Sequence, residues 1–512
     1  MMPSITGQQV MSIQLMISII LILFLAVSLF YRWIITKKGL LDTLKKDRNR
    51  IVTVFLIIIA ITAGINYFYF SRAGGLYIHR WDMYHVIINS KYYEELGYMK
   101  LYECSIVFDA ESNNYFKDVD TVRDLNTLRY IKRDDVLKDS DCNKLFTKER
   151  KEEFIKDLNF FYSLAPYSGY WKRLFTDKGY NGPPFYTFLV SMIVGKIDLS
   201  YINLLILAML DISLILLAFY MIYKAFGLRV CLIAFIFFCI NFPNRFVHMG
   251  GTILKFDYVA YLIISICLLR LEKYKLSGFF MALASMIRIF PVLFAAGLAL
   301  KAVMESVKVR EIKKRYINFF IAFGASLIIL FLLSLTVGNG LENWVGFYED
   351  MNIHNKKTAG FRIGFKHMFM FHGEITKDDK FIPFSQKARE FEAVQIYYYT
   401  SIVSFLLLVV FLIYKLDDVN SSIIFGVLMF YLLFASTRYY YSILVLLFLF
   451  TFEFHRERWY MISAILLFTI SAITYWVYSF NNFDAFIYNY FLSFLLLIYF
   501  IYLLASLIHK YG

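Results

Sequence analysis

The sequence predicts an all-α polytopic membrane protein, and three observations predict it. Of the 512 residues, 59% are hydrophobic and only 18% charged, with a mean hydropathy of +0.58. A water-soluble domain of that balance would expose large apolar patches. Apolar runs recur along most of the chain, many near the roughly 20 residues that a bilayer demands of a helix. With only 7 Pro and 24 Gly in the chain, those runs can form long unbroken helices.

Residues 1–70 read as two N-terminal transmembrane helices. The run 11–31 has no Lys or Arg before it and no small-residue cleavage site after it, so it is expected to be a retained span. Arg32, Lys37, Lys38, Lys45, Lys46, Arg48 and Arg50 follow, against Asp42 and Asp47. Such a basic loop is cytoplasmic by the positive-inside rule, which puts the N-terminus outside. After the second run, 51–70, no spanning run occurs until about Pro184. Residues 71–184 are therefore expected to be a first extracytoplasmic loop with interfacial helices.

Residues 185–336 form the expected transmembrane core, with runs at about 202–222, 229–243, 254–272 and 316–336. The run 185–195 is too short to span and is expected at the interface. The run 277–303 is interrupted by Arg288 and Pro291, and is expected to be a bent, re-entrant pair with Pro291 near its vertex. This keeps Lys224, Arg229, Arg270, Lys273 and Lys275 on the same side as Lys301, Lys308, Arg310, Lys313, Lys314 and Arg315. Residues 337–396 then form a second extracytoplasmic loop. Residues 397–512 supply the C-terminal helices, in runs at 398–415, 421–437, 438–454, 459–479 and 485–507. The expectation is about 11–13 transmembrane helices, a cytoplasmic C-terminus and a working face outside. The net charge of +14 then belongs to cytoplasmic loops rather than to nucleic-acid binding, for which no basic stripe exists. Of five cysteines, Cys231, Cys239 and Cys267 lie in apolar runs. Cys104 and Cys142 fall in the first loop, where pairing is open.

The chemistry-bearing residues begin just after the second span. Trp81, Tyr84 and Ile88 recur at helical spacing, and Asp82, His85 and Asn89 repeat that spacing one position along. The pattern predicts an amphipathic interfacial helix with its aromatics toward lipid. Asp82 is then a general base at the membrane surface, or it caps a helix or pairs with Arg80. His79, Asp82 and His85 drift around a helix without a fourth ligand, so no metal site is expected; a divalent metal is conceivable without support. Arg245, His248, Lys255, His354, Lys356, Lys357, Arg362, Lys366 and Arg438 fall on the face where the positive-inside rule places few cations. They suit an anionic phosphate, or are ordinary solvated loop charges. Asp211, Asp257 and Arg288 lie inside apolar runs, at about 2.5–3.5 kcal/mol each by insertion scales. Either they pair with one another, or Asp257 and Lys255 line an outward cavity that Arg288 enters.

The sequence resembles the GT-C superfamily of integral-membrane glycosyltransferases, which use polyprenyl-phosphate-linked sugars. The resemblance is carried by Arg80-Trp81-Asp82-Met83-Tyr84 after an outward span and by the long first loop. It is carried further by Gly179-Tyr180-Asn181-Gly182-Pro183-Pro184-Phe185-Tyr186 leading into a short helix. The last element is the stretch from Gly278-Phe279-Phe280 to Arg288-Ile289-Phe290-Pro291. The stretches around Asp82, Tyr180 to Phe185, Gly250 to Tyr258 and Arg288 to Pro291 also resemble a group of bacterial membrane proteins of unassigned substrate. The resemblance implies a multi-pass inner-membrane enzyme transferring a sugar from a polyprenyl-phosphate donor to a glycan, lipid or cell-envelope acceptor, with inversion. Asp82 would be its base, and Arg245, Lys255, Arg288 and Arg362 would hold the donor phosphate. Arg80, His85, Asn89, Asp257 and His354 would line the cavity or acceptor side. Two departures stand out: an extra span precedes the acid, and Met83 replaces a second acidic residue, with Asp109 and Glu111 farther along the loop. A lipid-linked glycan polymerase or ligase is the nearer alternative, though its main external loop would come late in the chain. A flippase or transporter would bring inverted repeats, which are not evident.

Overall fold

The computed structural model describes residues 7–38, 44–69, 77–246, 250–356, 362–369, 384–450, 458–480 and 485–511. Among them, seven helices are long and apolar enough to cross a membrane: Gly7–Phe30, Arg50–Phe68, Tyr201–Phe226, Lys314–Ser334, Phe391–Lys415, Arg458–Ser479 and Tyr488–Tyr511. Their outward faces carry exposed Ile, Leu, Val and Phe side chains such as Leu23, Ile58, Ile206, Ile328 and Leu407. Apolar side chains fit that setting when the surrounding solvent is hydrocarbon. The chain is a multi-pass, membrane-embedded helical protein.

Seven is fewer than the eleven to thirteen spans expected, and other apolar runs form helices of 10–17 residues among the described residues. Several of these runs end early, at irregular backbone. Leu228–Ile240 stops before the Phe242–Asn244 3₁₀ turn. Asp257–Arg270 starts late, and Tyr274–Ile287 stops at Arg288. Asp418–Leu433 ends before a 3₁₀ helix, Arg438–Val445, that continues into Leu446–Phe450. Irregular backbone at membrane depth persists only where protein or a polar cavity satisfies it. The 3₁₀ rise of about 2.0 Å per residue also lets few residues cover more depth.

Consecutive helices alternate in direction, which sorts the chain ends into two poles. One pole carries residues 77–183 and helix Leu341–Lys356. The other gathers the turns near 227, 272, 311 and 416. Tyr274–Ile287 and Val292–Val309 form a V whose tip is Arg288–Pro291. Both arms return to the far pole. There, Tyr274 and Tyr316 donate to opposite oxygens of Asp418 at 2.7 and 2.8 Å, and Tyr316 also meets Glu305 on the second arm. The first arm lies close along Lys314–Ser334, for a Cβ on Gly278 would fall 2.4 Å from the Phe319 carbonyl oxygen.

Residues 77–183 form a helical domain with one small antiparallel ladder, Thr121–Arg123 with Tyr130–Lys132. A Cys104–Cys142 disulfide, Cα atoms 5.4 Å apart, ties helix Leu101–Ala110 to Cys142–Leu145. The open question of their pairing is thereby answered. A second ladder joins Arg362–Ile363 to Ser436–Thr437. Helix Pro184–Val194 has Pro184 in its first turn, where a missing N–H is harmless. It lies between this domain and the membrane helices; just beyond it, Lys91 reaches the Ile197 carbonyl and Lys156 pairs with Asp198.

Candidate functional site at the loop-domain junction

The site begins with a cap. Helix Arg80–Met83 starts at His79, whose Nδ1 accepts the backbone N–H of Asp82 at 3.1 Å. The His79 backbone N–H in turn donates to the Gly251 carbonyl. Gly251 has φ +78°, and a Cβ there would lie 2.6 Å from the Tyr77 carbonyl oxygen, so only glycine lets the strap of residues 250–256 lie against this entry. At the far end of the strap, Lys255 and Phe256 donate backbone N–H bonds of 2.9 and 3.0 Å to the two oxygens of Asp211. Asp211 sits on Tyr201–Phe226 and is 2% exposed. Thus one buried carboxylate fixes the strap, and the strap fixes Lys255.

The Lys255 Nζ lies 2.8 Å from Asp82 Oδ2, with the two side chains 14% and 19% exposed. Burial alone would raise the Asp82 carboxyl, but the Lys255 ammonium and His79 outweigh it and hold the group well below the usual carboxylate range. The ammonium also stands 4.9 Å from the centre of the Tyr439 ring.

Arg288 approaches from the tip of the V. It ends helix Tyr274–Ile287 in extended backbone, and its guanidinium lies over Tyr186 at 4.8 Å and near Tyr258 at 5.9 Å. Nη1 donates to the Ile287 carbonyl at 2.7 Å, while the buried Nε has no hydrogen-bond partner among the described residues. Asp257 opens the helix behind it. One oxygen accepts the Tyr258 N–H at 2.8 Å, and the other is buried without a partner among the described residues. Tyr186 is anchored on the Ile253 carbonyl and Tyr258 on Ser442, so the aromatic wall is fixed by the strap and by the 3₁₀ helix. Tyr439 and Tyr440, ring centres 4.5 Å apart, complete it with Phe290.

No protein-family model, curated protein or solved structure matches the chain.

Of the residues singled out from the sequence, Asp82, Lys255, Asp257 and Arg288 come together. Arg245 does not join them: it stacks on Phe242 and Tyr478 at 5.2 and 5.3 Å. Arg362 lies in the short ladder and donates toward the Ala435 carbonyl. Three residues given to the cavity serve the loop domain instead. Arg80 donates to the Leu164 carbonyl and lies over Tyr170. Both ring nitrogens of His85 are engaged, with the Trp81 carbonyl at 2.8 Å and the Tyr102 hydroxyl at 2.6 Å. Asn89, fully buried, donates to the Gly97 carbonyl at 2.9 Å. The aromatics expected toward lipid are also turned inward: Tyr84 and Ile88 are 0% exposed, and Tyr84 packs edge-on against Phe161 and Trp171. A π-helical stretch, Tyr84–Ile88, breaks the 3.6-residue period on which the lipid-facing stripe depended. Asp211 caps backbone rather than pairing with Arg288. Asp109 accepts the N–H groups of Tyr115 and Phe116, and Glu111 is taken up by Lys151 and Asn143.

The side chains of His354, His248, Lys356 and Lys357 lie outside the described residues. Among the described residues no group of three or more His, Cys, Asp or Glu is gathered for a metal ion. Neither the cap at His79 nor the wall of Tyr439 and Tyr440 is evident from residue spacing. The run Arg438-Tyr439-Tyr440-Tyr441 was the available signal, hidden inside an apolar stretch expected to span.

Proposed function

We propose that the chain is a membrane glycosyltransferase of GT-C type, moving a sugar from a polyprenyl-phosphate donor to a hydroxyl acceptor with inversion. One observation carries the reading: the Asp82 carboxylate is paired with Lys255 where the loop domain meets the membrane helices, and Arg288 lies on the adjoining aromatic wall. A hydroxyl-bearing acceptor needs a base, and a departing phosphate needs cations; this locus offers both. Asp82 takes the acceptor proton as the acceptor oxygen bonds to the anomeric carbon. The bond from that carbon to the phosphate oxygen breaks, and its electron pair leaves with the phosphate. Lys255 and Arg288 receive that charge.

The resting Asp82–Lys255 pair fits this sequence of events. A carboxylate held that far down is ionised but a weak base. A donor phosphate that draws Lys255 away removes the cation, and burial then makes Asp82 more basic when it is needed. The aromatic wall of Tyr186, Tyr258, Tyr439 and Tyr440 gives a sugar ring flat surfaces to lie on. The Cys104–Cys142 disulfide supports an oxidising, extracytoplasmic setting for the loop domain. Basic turns at the far pole support a cytoplasmic one there.

Asp82→Asn is expected to lower transfer by about 10²–10⁴-fold, assayed on the purified protein with a panel of polyprenyl-phosphate sugars. Near-normal turnover by the folded variant would sink the assignment. Movement of the lipid-linked sugar across a reconstituted bilayer, with no sugar consumed, would revive the flippase alternative.

A further inference from the structure

Asp257 and Arg288 stand on one aromatic wall without meeting. Asp257 is fully buried, and its Oδ2 has no hydrogen-bond partner among the described residues; nor has the buried Nε of Arg288. Arg288 lies near the ring of Tyr258, whose backbone N–H holds the other oxygen of Asp257. Both charges also reach the Tyr186 hydroxyl: burial most, and then Asp257, oppose its ionisation, while Arg288 favours it. Buried opposite charges close up where the fold lets them, because a polar atom left over in a buried place is costly. Here anchors keep them apart. The Tyr258 N–H fixes Asp257 at 2.8 Å, the Ile287 carbonyl fixes Arg288 Nη1 at 2.7 Å, and the Ile253 carbonyl fixes Tyr186 at 2.9 Å.

What the two side chains leave open is one acceptor and one donor, of opposite charge. An anionic group is repelled by Asp257 and a cationic one by Arg288. A hydroxyl carries no charge, and it both donates and accepts. Two neighbouring hydroxyls on one ring satisfy both atoms: one gives its hydrogen to Oδ2, and the oxygen of the other takes the Nε hydrogen. Tyr186, Tyr258 and Tyr440, the last two with ring centres 5.6 Å apart, offer apolar faces to the C–H side of such a ring. The guanidinium is a fork, so Nη2 can hold a phosphate while Nε turns to the sugar.

We propose that Asp257 and the Nε of Arg288 select the donor sugar, a neutral ring with two adjacent free hydroxyls. This rests on the glycosyltransferase reading in one respect, that the donor phosphate sits at Lys255 and Arg288.

The test measures binding without an acceptor, by calorimetric titration of the full chain in detergent. The probes are farnesyl phosphate and its glucosyl, galactosyl, mannosyl and arabinosyl derivatives. At least one sugar is expected to bind wild type about tenfold or more tighter than farnesyl phosphate itself. Asp257→Asn keeps the shape without the charge, and is expected to erase that gain. It should bind farnesyl phosphate at least as tightly as wild type, since a repelling charge has gone. Should Asp257→Asn not fold, deoxy analogues of the tightest sugar on wild type read the same contact, and two adjacent positions are expected to lose the gain. No gain for any sugar, a gain kept in folded Asp257→Asn, or a gain kept by every deoxy analogue overturns the proposal. Loss of both affinities in Asp257→Asn overturns it too, for Asp257 would then merely hold Arg288. An amino-sugar derivative that binds more tightly than every neutral one overturns the neutral-sugar assignment. Nothing is turned over, so these failures leave the Asp82 reading standing. Conversely, near-normal transfer by Asp82→Asn leaves the sugar contact measurable.

Discussion

Three carboxylates surround the segment that carries Lys255, and each is used differently. Asp82 faces the ammonium, Asp211 holds the backbone, and Asp257 keeps one oxygen unpartnered among the described residues. For Asp82 the sign of a pH effect can be worked out. Burial pushes the carboxyl up while Lys255 and His79 bring it down by more. In Lys255→Gln burial acts with less opposition, so the Asp82 carboxyl rises, and the acidic limb of kcat/KM is expected at higher pH than in wild type. An unmoved limb would separate Asp82 from the rate. The same lowered value makes the Asp82 pairing stabilising above the ordinary carboxylate range. That contribution fades as pH falls toward the folded-state value. Asp211 predicts stability instead. Asp211→Ala strips two backbone N–H groups of their acceptor in a buried place, and is expected to lower stability by about 2–4 kcal/mol, read by thermal unfolding in detergent. An unchanged midpoint would show that the strap holds itself. These roles were only half legible beforehand. Insertion cost marked Asp211, Asp257 and Arg288 as occupied side chains, but a carboxylate that caps backbone looks the same in sequence as one that pairs with arginine.

At the scale of elements, the loop domain shows where periodicity misleads. The stretch from Arg80 to Lys91 does form helix, and Asp82 does stand at its start. Its faces were assigned wrongly because a π-helical stretch shifts the register and because helices Lys148–Leu164 and Ser168–Leu174 cover it. The second cause is a long-range contact, which spacing cannot report. Proline and arginine were better guides: Arg288 and Pro291 do mark the tip of a V, since neither continues a buried helix cheaply. The disulfide gives this scale its prediction. It closes a separation of 38 residues, worth about 3–4 kcal/mol by the chain-entropy model. Cys104→Ser/Cys142→Ser is expected to unfold correspondingly earlier, followed by circular dichroism. A gel-mobility shift between reduced and non-reduced wild type checks the bond itself. An unaltered melting curve would mean that helix Lys148–Leu164 and its buried aromatics hold this region without the crosslink.

For the whole molecule, the alternation of apolar runs was readable because bilayer thickness sets helix length, and the span count was not because irregular segments such as 242–244, 288–291 and 438–445 shorten helices. What charge adds is a direction. Lys224, Arg229, Arg270, Lys273 and Lys275 share the far pole with Lys308, Arg310, Lys313, Lys314 and Arg315, because both arms of the V return there. We propose, on the positive-inside rule, that this basic, turn-rich pole faces the cytoplasm. The opposite pole keeps Asp82 and the disulfide. The orientation can be tested in a chain with Cys231, Cys239 and Cys267 replaced by serine and the disulfide kept. Single cysteines are placed at Lys138 in the loop domain and Lys308 at the far pole, both exposed. A membrane-impermeant maleimide is expected to label Lys138→Cys in intact cells, and Lys308→Cys only after permeabilisation. The reverse pattern would turn the site toward the cytoplasm and set the disulfide in a reducing compartment. A donor presented on the outer leaflet could not then reach Lys255 and Arg288, and the transfer proposed for Asp82 would lose its substrate.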